Sequence, residues 1–98
     1  MTADGELVQT LRIPSAHPAL PGHFPGNPIV PGVVLLDRIA AAIERDGRRL
    51  ARIGAVKFLA PLKSEQDAEL RIVLDGVRVS FRIDRDGTPI LRGEGELA

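Results

Sequence analysis

The stretch Gly22-His23-Phe24-Pro25-Gly26-Asn27-Pro28-Ile29-Val30-Pro31-Gly32-Val33-Val34-Leu35-Leu36-Asp37 decides the fold, because it joins a stiff loop to an apolar helix. Six of the eight prolines lie between positions 14 and 31, which excludes regular helix there and predicts a rigid loop. Pro31 suits the first helical position, where its missing N–H is not needed. The helix is expected to continue to Asp46, with Gly47 as its stop.

The predicted helix is amphipathic. Its apolar stripe, read at helical spacing, consists of Leu35, Leu36, Ile39 and Ile43. Asp37 falls opposite this stripe, so periodicity predicts that it faces solvent. Its neighbours on that face are nevertheless apolar, namely Val33, Val34 and Ala41. A second subunit that covers this face would explain apolar neighbours around a carboxylate.

Alternating apolar and polar residues predict strands before and after the helix. The predicted strands are Leu7 to Ile13, Leu50 to Leu59, Ala68 to Leu74, Val77 to Ile83 and Ile90 to Leu97. Asp75-Gly76 and Asp86-Gly87 are typical hairpin turn pairs, and Gly93 and Gly95 are expected to weaken or bulge the last strand. The predicted order is strand, loop, helix and four-strand meander. This is an α+β fold in which an antiparallel sheet curls around one helix.

Composition limits the function classes. The 98 residues predict one domain, 1–98, near the lower size limit for a self-sufficient core. Thirteen basic and thirteen acidic residues argue against a general nucleic-acid or membrane-surface role. The absence of cysteine excludes disulfides and makes a structural zinc site improbable. No signal peptide or membrane span is recognised, so a cytoplasmic location is expected.

The opening stretch also contains groups suited to proton removal next to a carbonyl. The imidazole of His23 titrates near neutral pH and is well matched to take a proton there. Asp37 is a candidate proton donor if burial keeps its carboxyl protonated. Gly32 places a free amide at the positive end of the helix, where a carbonyl oxygen can approach closely.

The segment from Gly22 to Pro28, followed by Pro31-Gly32, closely resembles the motif of hotdog-fold 3-hydroxyacyl-[acyl carrier protein] dehydratases of the FabZ/FabA type. It is most similar to the short dehydratases of aryl-polyene-type clusters. Lys57-Phe58 with Pro61 resembles a basic-aromatic segment of the same family.

The resemblance implies a lyase of fatty acid or polyene biosynthesis that acts on acyl carrier protein without a metal or other cofactor. It also implies a homodimer, or a larger assembly of dimers, in which His23 and Asp37 of different subunits form the catalytic pair. Gly32 would bind the thioester, and Phe24 would anchor the loop or line the acyl channel.

The chain departs from the family pattern in three respects. It is short, Ala41 stands where the family often has Gln, and Lys63-Ser64-Glu65-Gln66 replaces a proline-glycine turn. Two alternatives therefore stay open: a hotdog acyl thioesterase, and a non-catalytic acyl-binding subunit of a heteromeric dehydratase.

Two further groups of residues have competing interpretations. Arg48, Arg49 and Arg52 fit either a solvated helix end or a docking patch for an acidic carrier protein. His17 is expected to be structural.

Overall fold

The computed structural model describes residues 5–20 and 28–98 and contains one helix and one five-stranded sheet. The elements are β1 (Gly5–Leu11), α1 (Gly32–Arg45), β2 (Leu50–Phe58), β3 (Ala68–Asp75), β4 (Arg78–Arg85) and β5 (Thr88–Leu97). Every strand pairs antiparallel with its neighbours, in the order β1-β3-β4-β5-β2. The hotdog arrangement of a single helix against a curved antiparallel sheet is confirmed.

The predicted four-strand meander is wrong in one strand. Only β3, β4 and β5 follow one another as hairpins, whereas β2 pairs with β5 at the far edge of the sheet. The connection from β2 to β3, residues 59–67, is long enough to cross the sheet, and β3 already pairs with β1 on its other side. As a result one edge of β2 pairs with no described strand, and most of its residues are exposed.

The helix lies close to its predicted bounds, with small corrections. Pro31 is the N-cap residue, in extended geometry (φ −60°, ψ 144°), and so precedes the first helical turn. Asp46 is the C-cap, and Gly47 stops the helix in the left-handed region (φ +86°). The buried residues are Val34, Leu35, Ile39, Ala42 and Ile43, while Leu36 is only partly buried. The buried face therefore keeps Leu35, Ile39 and Ile43 of the predicted stripe and extends to Val34 and Ala42 instead of Leu36.

The two hairpins differ in their turns. Asp86 and Gly87 both have positive φ, 49° and 79°, which confirms the predicted type I′ pair. In the other hairpin Asp75 still pairs with Arg78, so the central residues are Gly76 and Val77. Only Gly76 has positive φ, as in a type II′ turn. The predicted turn pair Asp75-Gly76 is therefore displaced by one residue, and Val77, predicted as the first residue of a strand, lies in the turn and is 62% exposed.

Gly93 and Gly95 make room for neighbouring groups. A Cβ on Gly93 would lie 2.5 Å from the Phe81 ring, and one on Gly95 would lie 2.3 Å from the carbonyl oxygen of Arg52. The register of β2 against β5 shifts twice along this stretch. The expected irregularity is therefore present where these glycines pair with β2.

A cluster of charged side chains holds the beginning of the proline-rich loop. Arg12 donates to Glu65 at 3.2 Å and to Asp67 at 3.0 Å, and Glu65 accepts the Ser15 backbone N–H at 2.7 Å. The hydrogen bond from Ser15, together with the Arg12 guanidinium, lowers the pKa of the Glu65 carboxyl. This ion pair is solvent-exposed, so its effect on stability is expected to be modest.

We expect Glu65→Gln to lower the thermal midpoint at neutral pH, because the amide accepts the same hydrogen bonds more weakly than a carboxylate. A carboxyl whose pKa is lower in the folded state stabilises the folded protein at pH values above its unfolded-state pKa. This stabilisation is lost as the pH falls through the folded-state pKa. The difference in midpoint between the two proteins should therefore shrink as the pH falls below the unfolded Glu value of about 4.3, and it should disappear once the pH is below the lowered folded-state pKa.

Thermal unfolding followed by circular dichroism across this pH range measures the effect. Glu44→Gln, at an exposed helix position, is the matched control and should show little difference at any pH. A Glu65→Gln deficit that is equally large in acid would contradict the electrostatic explanation.

Candidate active site

The N-terminus of α1 offers backbone donors to a ligand. The Val34 N–H donates to the Pro31 carbonyl at 3.0 Å, which leaves the amides of Gly32 and Val33 without a partner among the described residues. No acidic residue lies in the first turn, and Pro31 provides no side-chain cap. The positive end of the helix dipole is therefore not neutralised by an acidic side chain of its own first turn.

Phe58, at the end of β2, packs against this helix start. A Cβ placed on Gly32 would lie 2.6 Å from Cε1 of the Phe58 ring, a distance that real side chains do not tolerate. Only glycine fits here without moving the ring. Phe58 is nevertheless 54% exposed, so one part of its ring covers Gly32 while the rest lies on the surface.

An apolar cavity of about 500 Å³ lies beside this contact. Its lining consists of Ile29, Val30, Pro31, Gly32, Leu35, Phe58, Leu59, Ala60 and Pro61. Among residues 5–20 and 28–98, no charged side chain lines this cavity, and Gly32 at the start of α1 forms part of its wall. Such a cavity can accept an apolar chain and offer a hydrogen-bond donor to one polar atom of that chain.

Asp37 lies on the exposed face of α1, as the periodicity predicted. Its carboxylate makes no hydrogen bond or ion pair with a described residue. Val33, one turn earlier on the same face, is 62% exposed. Within a single chain, therefore, Asp37 borders an apolar surface but is not enclosed by it.

His23 and Phe24 lie outside the described residues, so their predicted roles stay predictions. The described chain on either side of them is well anchored. Leu20 is buried, and the carbonyl of Pro28 accepts the Ser64 N–H at 2.9 Å. Val30 also donates to the Leu62 carbonyl at 2.8 Å. The described residues on both sides are therefore held against the core.

Other sequence candidates have structural roles. The Nδ1 atom of His17 accepts the Ala19 N–H at 3.0 Å, which stabilises a local turn and agrees with the structural role expected. In the basic cluster, Arg52 pairs with Glu96 and is thereby partly neutralised. Within residues 5–20 and 28–98, no group of His, Asp or Glu side chains is placed to hold a metal ion. The same ranges contain no helix with the length and hydrophobicity of a membrane span.

Phe58 is the residue that the sequence did not assign to the site. The Lys57-Phe58 pair was noted for its resemblance to a family segment, but its contact with Gly32 joins residues far apart in the chain. Alternation along β2 indicates only that Phe58 shares a sheet face with Val56. The pairing of Phe58 with the buried Leu91 is what fixes that face toward the helix.

Comparison with known proteins identifies the family of this chain. Residues 1–94 match the ApeI-like family model, described as ApeI dehydratase. Curated 3-hydroxyacyl-[acyl-carrier-protein] dehydratases FabZ from Haemophilus influenzae strains PittEE and PittGG are each 32% identical over 81 residues. That match covers 70% of this chain and 55% of the relatives, so the chain spans about half the length of the curated relatives it matches.

Solved structures share the fold. The dehydratase heterocomplex ApeI:P from Xenorhabdus doucetiae matches with a TM-score of 0.80 and 28% identity, over 95% of this chain and 87% of that one. An uncharacterized protein from Erwinia carotovora subsp. atroseptica matches with a TM-score of 0.75 and 22% identity, over 95% and 82% of the two chains. The second match supports the fold alone. The family model, which covers nearly the whole sequence, places this chain in the ApeI-like dehydratase family.

Proposed function

We propose that the chain is a 3-hydroxyacyl-[acyl carrier protein] dehydratase that forms trans-2-enoyl thioesters in fatty acid or polyene biosynthesis. His23 takes the α-proton as the α-carbon to β-carbon double bond forms. Asp37 delivers a proton to the departing β-hydroxyl, which leaves as water. The thioester already acidifies the α-carbon, so the proposal includes no metal or diffusible cofactor.

The observation that carries this proposal is the Gly32 amide at the edge of an apolar cavity. In the proposed mechanism the thioester carbonyl lies against Gly32, and its oxygen gains negative charge as the proton leaves. One backbone donor of this kind typically contributes about 3 kcal/mol to transition-state stabilisation. The apolar lining would hold the acyl chain and exclude water from the developing enolate.

Helix geometry supports the participation of a second subunit in this reaction. At about 100° per residue, Asp37 lies roughly 140° around α1 from Gly32 and more than one turn further along it. The carboxylate of one chain therefore does not point into the cavity of the same chain. In the proposed dimer, Asp37 of the partner completes the cavity, and each dimer has two such sites.

The exposed surface suits this pairing. Of the seven large apolar side chains that are more than 40% exposed among the described residues, Val8 and Val77 lie elsewhere. The other five lie on β2, on the first turn of α1 and on the segments next to them, namely Ile29, Val33, Ile53, Phe58 and Leu59. The unpaired edge of β2 lies in the same region. Covering this surface would bury apolar area that a chain of this size can use for stability.

A subunit role in a mixed dehydratase is the second candidate. It is favoured by the likeness to a dehydratase heterocomplex from Xenorhabdus doucetiae. In that case the second subunit would be a homologous chain rather than a copy of this one. The same exposed face would then pair with that homologue.

We expect His23→Ala and Asp37→Asn each to reduce dehydration by about 100-fold or more, as is typical for loss of a general acid or base. The substrate is 3-hydroxyoctanoyl thioester on acyl carrier protein, and the product is followed by enoyl absorbance. Asp37 is exposed in the single chain, so its variant should remain folded by circular dichroism.

Mixing the two variants tests the division of the site between subunits. A mixed dimer contains one site with both native residues, so random exchange should restore about a quarter of wild-type activity. No recovery, with exchange verified by mass spectrometry, would contradict the shared site.

Release of free thiol without enoyl product would favour the thioesterase alternative. Wild-type turnover that appears only after a homologous subunit is added would favour the mixed complex.

We expect Gly32→Ala to lower kcat/KM by about 100-fold, because its Cβ would displace the Phe58 ring and shift the carbonyl from the amide. The companion variant Gly32→Ala/Phe58→Ala removes the clash and should recover part of the loss. Gly5→Ala, where an added Cβ meets nothing within 4 Å, is the control. Full activity in Gly32→Ala would contradict close approach of substrate to this amide.

A further inference from the structure

Four cationic residues form a continuous row across the sheet, on the face opposite the helix. Arg71 on β3 pairs directly with Arg82 on β4, Arg82 pairs with Arg92 on β5, and Arg92 pairs with Lys57 on β2. Adjacent strands are about 4.8 Å apart, so this cation row spans roughly 14 Å. It lies outside the active site described above and apart from the basic cluster at the end of the helix.

Direct cross-strand pairing of like charges is unfavourable, so the row is not explained by sheet stability. Carboxylates compensate one end of it, since Glu6 and Glu69 lie 3.2 and 3.3 Å from Arg71. Toward β2 the compensation is weaker. Arg82 and Arg92 share Asp84 at 3.4 and 3.5 Å.

Lys57 is exposed and forms no ion pair with a described residue. Glu94, a nearby exposed carboxylate on β5, pairs with Ser80 in the next position of the sheet rather than with the row. At the β2 end, therefore, Arg82 and Arg92 share one carboxylate, and Lys57 has none among the described residues.

A depression of about 400 Å³ lies along the row, lined by Glu6, Arg71, Val73, Ser80, Phe81, Arg82, Arg92 and Gly93. The Nε atom of Arg71 is buried and has no hydrogen-bond partner. Arg82 and Arg92 each have nearly half of the side chain exposed. The depression thus offers guanidinium donors to carboxylates presented by another molecule.

The position of Lys57 connects the row to the cavity. Lys57 immediately precedes Phe58, whose ring lies against Gly32 on the other face of the sheet. Because β2 ends at Phe58, a group tethered to a molecule on the row needs only to pass the end of this strand to reach Gly32.

We propose that the cation row docks the acidic surface of the acyl carrier protein, so that the acyl arm enters past Phe58. This inference rests on the proposed function and adds the surface that receives the partner. Charge complementarity supports a negatively charged protein as the occupant. Such contacts mainly speed encounter and weaken with salt.

Charge reversal separates docking from chemistry. The 3-hydroxyoctanoyl group is supplied either on acyl carrier protein or on N-acetylcysteamine, a thiol with no protein surface. For Lys57→Glu and Arg92→Glu we expect KM for the carrier-borne substrate to rise about tenfold at low salt. The difference should shrink in about 0.5 M salt, where the Debye length is a few ångströms. Turnover of the small thioester should change less than about twofold, which is the scatter expected for surface substitutions.

Arg49→Glu is the matched control, because it reverses one charge in the basic cluster at the helix end. A rise in KM for Arg49→Glu but not for the row variants would overturn the proposal and assign docking to that cluster. Equal losses on both substrates would also overturn it, because they would indicate damage to the cavity.

Calorimetric binding of apo acyl carrier protein gives a readout that does not depend on turnover. Weaker binding by the row variants supports the docking surface, whether or not the wild-type protein is active. Absence of dehydration of both substrates by the wild-type protein would refute the proposed function but not the docking surface. Equal binding by wild type and row variants overturns the docking surface. Displacement of the carrier protein by a random oligonucleotide at equal concentration would contradict the claim that the row is specific for acyl carrier protein.

Discussion

The packing of the Phe58 ring against the bare Cα of Gly32 is the constraint on which the candidate site depends. It sets the distance between the start of α1 and the end of β2, the two elements that border the apolar cavity. Among the described strands, β2 pairs with β5 alone. Strand pairing therefore holds β2 on one side, and the contact between Phe58 and Gly32 adds a link from β2 to the helix. A side chain at position 32 would displace the Phe58 ring and change the shape of the cavity where the helix amides lie.

Local chemistry made much of the fold predictable. Proline and glycine marked the ends of α1 to within one residue, and Asp86-Gly87 identified its turn, because these residues restrict φ without reference to distant contacts. The placement of β2 was not predictable in this way. β1 pairs with one edge of β3, so β2 pairs with the free edge of β5 instead. This choice depends on the pairing of all five strands and not on residues close to β2 in the sequence. The assignment of Val34 failed for a related reason, since the curved sheet covers a wider part of the helix than a narrow stripe.

The residues of the candidate site differ in the same way in how far the sequence predicts them. Gly32 and Asp37 were identified from positions on one helix, where spacing fixes which residues share a face. Phe58 and the cation row were not, because each depends on strand register between residues distant in sequence. Alternation indicates that Arg71, Arg82 and Arg92 face outward, but only the register aligns them. His23 and Phe24 rest on the resemblance and stay predictions.

In the proposed dimer, stability and catalysis would depend on one interface. Val33 and Asp37 occupy the same helix face, so covering Val33 necessarily encloses the carboxylate beside it. Full burial of an aliphatic side chain of this size contributes about 1.5–3 kcal/mol, which offsets part of the cost of removing Asp37 from water. Polar substitution at Val33 should therefore weaken subunit pairing and activity together. The cation row lies on the opposite sheet face, so its loss should slow substrate delivery while the paired subunits and their chemistry remain intact.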